Sequence, residues 1–246
     1  MKVSIIVPAF NEEAYLAATL HSIRAAADHL RAHSDADDDD VHIDVIVVDN
    51  NSTDETAAIG RNAGARVVHE PVQGIARARN AGARHAAGDV LVFVDADVAV
   101  PPTLLHVIHE TMGDPACIGG GMDVDYRPRR FIVRLYLRAW RVLGRLTGMV
   151  QGATQFCRKS AFERIGGYDE KAWIGEDVDF HRALRRLTRA EHGTVRFMRE
   201  PRVRPSCRRF DKWPLWRVLI WTNPLFIALF RRWKAAWSGW YSHPVR

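Results

Sequence analysis

The sequence predicts an α/β fold, with a mainly parallel sheet flanked by helices. Short apolar runs at residues 3–8 ("VSIIVP"), 43–49 ("IDVIVVD") and 90–94 ("VLVFV") have the length and β-branched content of buried strands. Stretches with helical periodicity or alanine-rich composition separate them, the order that builds a parallel sheet. The second and third runs finish in acids, Asp49 and Asp95, with Asp97 one residue beyond Asp95. A strand made for burial that stops in charge marks a place where ligands bind, beyond the carboxyl ends of the strands.

Each element has its own signal. After the first strand, Leu16, Leu20 and Ile23 give residues 12–33 one apolar helical face. The second strand leads to "STDETAAIGRNAG", a helix with Ser52 or Thr53 as N-cap. "RVVH" (66–69) is a short third strand, and residues 75–87 form an alanine- and arginine-rich helix that Gly88 stops. "PPTLLHVIHETM" opens a further helix with proline in its first turn. The acidic tract "SDADDDD" (34–40) lacks the glycine and distal glutamate of a calcium loop and reads as a solvated connection.

Composition bounds the chain. Its 246 residues, 47% of them hydrophobic, suffice for one large domain, or for one with a small appendage. Three cysteines without CxxC spacing point to neither a disulfide frame nor a zinc site. The N-terminus enters a strand directly, without the apolar core of a secretory signal, so the expected setting is cytoplasmic. Charge is divided sharply. Residues 1–125 hold 8 Lys and Arg against 20 Asp and Glu, whereas residues 126–246 hold 27 against 9. The basic half calls for an anionic surface or ligand, with nucleic acid and a membrane face as the two candidates.

In that half, Arg130, Arg134, Arg138, Arg141 and Arg145 recur at helical spacing, opposite Ile132, Leu135 and Leu143. They read as a solvated arginine face, or as one turned to anionic lipid or to a phosphate-bearing acceptor. The C-terminal segment, rich in tryptophan and arginine, is broken by Arg217, Asn223 and Pro224 and is too short for a span. It fits attachment to a membrane interface, or packing of its aromatic rings onto the domain. The expected division is 1–211 for the main domain, in halves of 1–100 and 101–211, followed by an amphipathic tail (212–246).

Two constellations carry chemistry. Carboxylates one residue apart at a strand end diverge, so one can hold a hard divalent cation while the other takes a sugar hydroxyl. "WIGEDVDF" places Glu176 and Asp177 at the start of a helix. Acids there are favoured by the macrodipole alone, and near a bound sugar one of them can act as general base. A glycine-rich dinucleotide loop is missing after the first strand, where "PAFNEE" stands, and a P-loop is absent too.

"VSIIVPAFNEEAYL", "VIVVDNNSTDET", "GIARARNAGARHAAGDVLVFVDADV" and "GGYDE…WIGEDVDF" follow the order seen in family 2 glycosyltransferases, which the chain resembles from Val3 to about Leu187. The resemblance implies a GT-A fold and inverting transfer of a hexosyl or related sugar from a UDP- or GDP-linked donor, assisted by Mn²⁺ or Mg²⁺. It implies that Pro8, Ala9, Phe10 and Glu12 form the first nucleotide loop and that Asp49 recognises the base. Arg79 would lie near the nucleotide with Asp95 and Ala96, Asp97 and Asp95 would hold metal, and Asp177 would be the base with Glu176 beside it. Asn50 and Asn51 stand where many relatives have Asp-Gly, so the turn chemistry there differs.

The expected acceptor is a carbohydrate or lipid-linked hydroxyl. The enzyme would sit peripherally on the inner face of an anionic membrane, with no nucleic-acid partner. Two alternatives stand beside this reading: a transferase to polyprenyl phosphate, of the dolichol-phosphate mannose synthase type, and a non-catalytic nucleotide-sugar binder. "LFRRW" (229–233) lacks the glutamine of the processive QxxRW signature, which favours single-residue transfer.

Overall fold

The computed structural model describes residues 1–33, 41–147 and 152–237. The acidic tract at 34–40 lies outside the described residues, as do the last nine positions of the tail. The first half runs β1 (Lys2–Ala9), α1 (Leu16–His33), β2 (His42–Asp49), α2 (Thr56–Asn62), β3 (Arg66–His69), α3 (Ile75–His85), β4 (Val90–Val94), β5 (Val98–Ala99) and α4 (Leu104–Gly113). The second half runs β6 (Cys117–Val124), α5 (Phe131–Thr147), β7 (Thr154–Arg158), α6 (Lys159–Ile165), α7 (Glu176–Glu191), β8 (Thr194–Pro205), α8 (Arg208–Lys212), α9 (Leu215–Trp221) and α10 (Pro224–Phe230).

Among the described residues the strands make one sheet in the order β3-β2-β1-β4-β7-β6-β8-β5. β1 pairs in parallel with β2 and β4, and β2 with β3, whereas β7 runs antiparallel between β4 and β6. Alternate residues of β1 feed two cores: Val3, Ile5 and Val7 meet α1 and α4, and Ile6 faces the side covered by α3, α6 and α7. All five residues of β4 are buried because both faces of the sheet are covered, which is why that strand reads as an unbroken apolar run. On the α7 side, Phe93, Phe162, Tyr168 and Phe180 stack together, and burying each such ring contributes roughly 1.5–3 kcal/mol.

The small residues of α3 have a geometric purpose. A Cβ on Gly82 would come within 2.3 Å of Ile6, so only glycine lets α3 lie this close to β1. The helix after β2 begins later than its Ser and Thr signals predict. α2 starts at Thr56 with Glu55 at the cap position, because Ser52 and Thr53 are engaged elsewhere. Ser52 Oγ accepts from the Asn11 amide, and the Thr53 amide donates to Asn11 Oδ1. These bonds tie the loop after β1 to the loop after β2.

The expected arginine face is divided: Arg138 is exposed, whereas Arg130 and Arg141 turn onto the domain. Arg130 donates to the Trp213 carbonyl at 2.8 Å, and Arg141 grips the buried Asp123. Phe131, Ile132, Leu135, Val142 and Leu143 face outward and are exposed. A buried acid and a buried carbonyl, absent from any helical wheel, draw these two arginines inward. Arg145 belongs to the residues whose side chains are not described.

The described part of the tail is fastened to the domain. Trp213 and Trp237 are buried, Trp221 packs edge-on against Trp213, and Trp237 Nε1 donates to the Phe230 carbonyl at 2.8 Å. Trp216 and Trp233 stay exposed. Among the described residues no helix is long and apolar enough to cross a membrane.

Candidate active site

The carboxyl ends of β1 and β4 open onto a cavity of about 540 Å³, within the range of roughly 300–1,000 Å³ typical of ligand sites. Pro8, Ala9, Phe10 and Glu12 line it after β1, and Asp95, Ala96 and Asp97 after β4. Arg79, Glu176 and Asp177 complete the set from α3 and α7. Ten of the predicted positions therefore share one space, although residues 8 and 177 lie at opposite ends of the motif series.

Asp49 is the exception. Its Oδ1 accepts from the Ser52 amide at 3.0 Å and its Oδ2 lies 3.3 Å from His69 Nδ1, while the adjacent Asn50 lines the cavity. The Asn50 side chain donates to the carbonyls of Glu70 and Val72 and accepts from the Gly74 amide, bracing the chain that leads into α3. Asn51 adopts φ 63°, a left-handed slot that asparagine tolerates where glycine is the commoner occupant.

Arg79 is the centre of the charge arrangement. It is fully buried, donates to Glu176 Oε1 at 2.6 Å and to Asp95 Oδ1 at 2.7 Å, and lies over the Tyr168 ring. Burial works against its charge, and Asp95 with Glu176 more than restores it. Arg79, expected near the nucleotide, lines the cavity and also bridges Asp95 after β4 and Glu176 at the start of α7.

Those two acids are unequal. Burial raises Glu176, and the adjacent Asp177 raises it further, while Arg79 pulls it down. Burial also raises Asp177, opposed by Arg79 and by the amides of Val178 and Gly152. Asp177 is held by both oxygens: Oδ1 accepts from the Val178 amide at 2.8 Å and Oδ2 from the Gly152 amide at 2.6 Å. A Cβ on Gly152 would sit 2.4 Å from the Asp177 Cβ, so the close approach demands glycine. A carboxylate with four lone-pair sites, two of them engaged, can still accept a proton from a third group.

Asp97 faces a different partner. Arg208, at the start of α8, forks onto both oxygens of Glu12 and reaches Asp97 Oδ2 at 3.4 Å. Its guanidinium also lies 4.4 Å from the centre of the Tyr15 ring. Sequence reasoning missed Arg208, which stands 196 residues from Glu12 in a segment with no motif around it. Asp123, Trp140, Trp173 and Arg231 were likewise missed, and with Arg141 of the arginine helix they extend the cavity toward α5 and α10.

The profile described as Glycosyl transferase family 2 matches residues 4–166. The chain belongs to glycosyltransferase family 2. An uncharacterized glycosyltransferase of Mycobacterium tuberculosis is 38% identical over 95 residues, 39% of this chain and 36% of that protein. The undecaprenyl-phosphate 4-deoxy-4-formamido-L-arabinose transferase of Shewanella sediminis is 35% identical over 111 residues, 41% of this chain and 30% of that one. The chain thus spans only about a third of the length of these curated relatives. Glucosyl-3-phosphoglycerate synthase from M. tuberculosis, solved with Mn²⁺, UDP and glucosyl-3-phosphoglycerate, superposes with a TM-score of 0.58 at 20% identity. That match covers 94% of this chain and 79% of the other. This family 2 glycosyltransferase has the GT-A architecture: a mixed, mainly parallel sheet flanked by helices.

Proposed function

We propose that this glycosyltransferase is an inverting enzyme, moving a hexosyl or related sugar from a UDP- or GDP-linked donor to a hydroxyl acceptor. One observation carries the reading: Asp177, a half-buried carboxylate oriented by two backbone amides, lines the same cavity as Asp95 and Asp97. The loop of Pro8, Ala9, Phe10 and Glu12, with Ala96 and Asp95, is assigned to the nucleotide, and Asp49 to its base. The donor half is assigned to 1–100, the acceptor half to 101–211 and the tail to 212–246, of which Trp221, Thr222 and Arg231 line the cavity.

Transfer forms a bond from the acceptor oxygen to the anomeric carbon and breaks the bond to the diphosphate. The acceptor proton passes to Asp177, whose raised pKa makes it a stronger base than a free aspartate. Attack from the side of Asp177, opposite the leaving group, inverts the anomeric carbon. Glu176 and Arg79 position Asp177 and keep the local charge in balance.

The residues present fit a divalent ion of limited protein coordination. Among the described residues no cluster of three or more His, Cys, Asp or Glu side chains is suited to a metal, so a cage built from protein alone is not available. Asp95 and Asp97 offer hard oxygens beside open space, the donor set of an Mn²⁺ or Mg²⁺ ion that takes its other ligands from phosphate and water. Such an ion, when bound, neutralises charge developing on the leaving diphosphate.

The acceptor we favour is a lipid-linked glycan at the inner face of an anionic membrane, met by a peripherally attached, cytoplasmic enzyme. The name of the S. sediminis relative supports a second reading, in which the acceptor is a polyprenyl phosphate that needs no base. Asp177→Asn separates the two. Calorimetry with UDP and Mn²⁺ should find near-normal affinity while transfer is abolished. Retained transfer would favour the phosphate acceptor, and donor binding without turnover by the unaltered chain, across a broad acceptor panel, would favour a non-catalytic binder.

A further inference from the structure

We propose that the outward faces of α5 and α9 form a docking surface for an anionic phospholipid bilayer. Ile132, Leu135 and Val142 recur at steps of three and seven, a single stripe along α5, with Phe131 and Leu143 beside it. Phe131 is 72% exposed and Val142 55%, levels at which a large apolar side chain meets water with most of its surface. On α9, Trp216, Leu219 and Ile220 form a second exposed apolar face at helical spacing. Tyr136 Oη and Thr222 Oγ1, 2.6 Å apart, join the two helices, so these faces neighbour each other.

Charge selects the occupant. Exposed Arg129 and Arg138 lie on or beside the α5 stripe, and Arg217 lies within 5.0–5.8 Å of the rings of Trp213, Trp216 and Trp221. Residues 126–246 carry 27 basic against 9 acidic side chains, so a second copy of the chain would bring like charge to the contact. Apolar side chains framed by arginine and tryptophan suit the boundary between acyl chains and negative headgroups.

The inner faces of the same helices line the cavity, through Leu137, Trp140 and Arg141 on α5 and Trp221 on α9, with Thr222 just after it. One helix diameter, about 10 Å, therefore separates the docking surface from the space where transfer occurs. A lipid-linked acceptor would reach Asp177 while its tail stays in the bilayer, a consequence that rests on the transferase reading above.

Vesicle co-sedimentation tests the surface, using vesicles with and without phosphatidylglycerol. Full-length protein should bind the anionic vesicles and release from them as salt rises. The double variant Leu135→Glu/Val142→Glu should lose about tenfold or more in vesicle affinity, and Leu219→Glu should act in the same direction. Both changes lie at exposed positions, so UDP affinity by calorimetry should stay unchanged in the same preparations. Absent vesicle binding, or equal binding by the variants, would overturn the proposal. So would a dimer in sedimentation velocity that the double variant converts to monomer, since the face would then belong to a second copy. Failure of UDP binding by the unaltered protein would instead remove the transferase reading and leave the vesicle result standing.

Discussion

Arg79 Nη1 donates to Glu176 Oε1 at 2.6 Å across 97 residues of sequence, and Nη2 of the same guanidinium holds Asp95. One buried cation thereby couples the acid at the tip of β4 to the acids that begin α7. Residues assigned separately to donor and acceptor chemistry are mechanically joined.

Replacing Arg79 should be costly. Arg79→Leu leaves Glu176 buried and Asp95 half-buried with no cation between them, a loss of about 3–5 kcal/mol in unfolding free energy. Arg79→Lys keeps the charge without the planar fork and should recover only part of it. Thermal or urea unfolding measures both, and an unchanged midpoint for the leucine variant would exclude the bridge as a structural element.

Gly152→Ala should act on catalysis rather than on the donor. The added Cβ would push against the Asp177 side chain and remove the geometry that fixes Oδ2. Displacing the base should lower turnover about 100-fold, with UDP affinity retained. Loss of affinity equal to the loss of turnover would show that the residue shapes the donor pocket instead.

Asp97→Ala should weaken Mn²⁺-dependent UDP binding by about tenfold or more. With chelator present, variant and unaltered protein should bind UDP alike, because the side chain's remaining partner in the cavity is Arg208. Identical titrations in the presence of Mn²⁺ would withdraw Asp97 as a metal ligand.

The pH dependence follows from the raised carboxylates. Asp177 must be ionised to accept a proton, and burial holds it above the ordinary 3.8 of an aspartate. Transfer should therefore rise with pH along an acidic limb whose midpoint lies above 3.8. Glu176→Gln should leave that limb in place, because Glu176, pushed up to about 7, is already neutral where Asp177 titrates. For stability the sign is opposite: the folded state holds these protons more tightly than the unfolded chain, so the contribution of the pair is greatest at low pH and is lost as pH rises through the raised values. A limb at or below 3.8 in the rate profile would count against Asp177 as base.

Much of this protein is legible in the amino-acid order. β1, β2, β3 and β4 lie where apolar runs of strand length occur, because a sheet covered on both faces accepts little else. The acids after β4 were visible as charge at the end of a buried strand, whereas those at the start of α7, ordinary for a first helical turn, were marked only by the family resemblance. That Pro8 and Asp95 share one cavity was implied by strands that end on the same edge, an argument that also included Asp49, which does not line it.

The tertiary structure alone decided three matters. It made Arg79 a buried bridge, since no local pattern tells a helix arginine which distant acids it will meet. It brought Arg208 to Glu12 and Asp97 across nearly the whole chain. It also turned Arg130 and Arg141 onto the domain and left Arg138, Leu135, Val142 and Leu143 exposed, a division that the helical pattern did not carry. Helical periodicity reports that two faces differ, whereas buried partners such as Asp123 and the Trp213 carbonyl determine which of them packs.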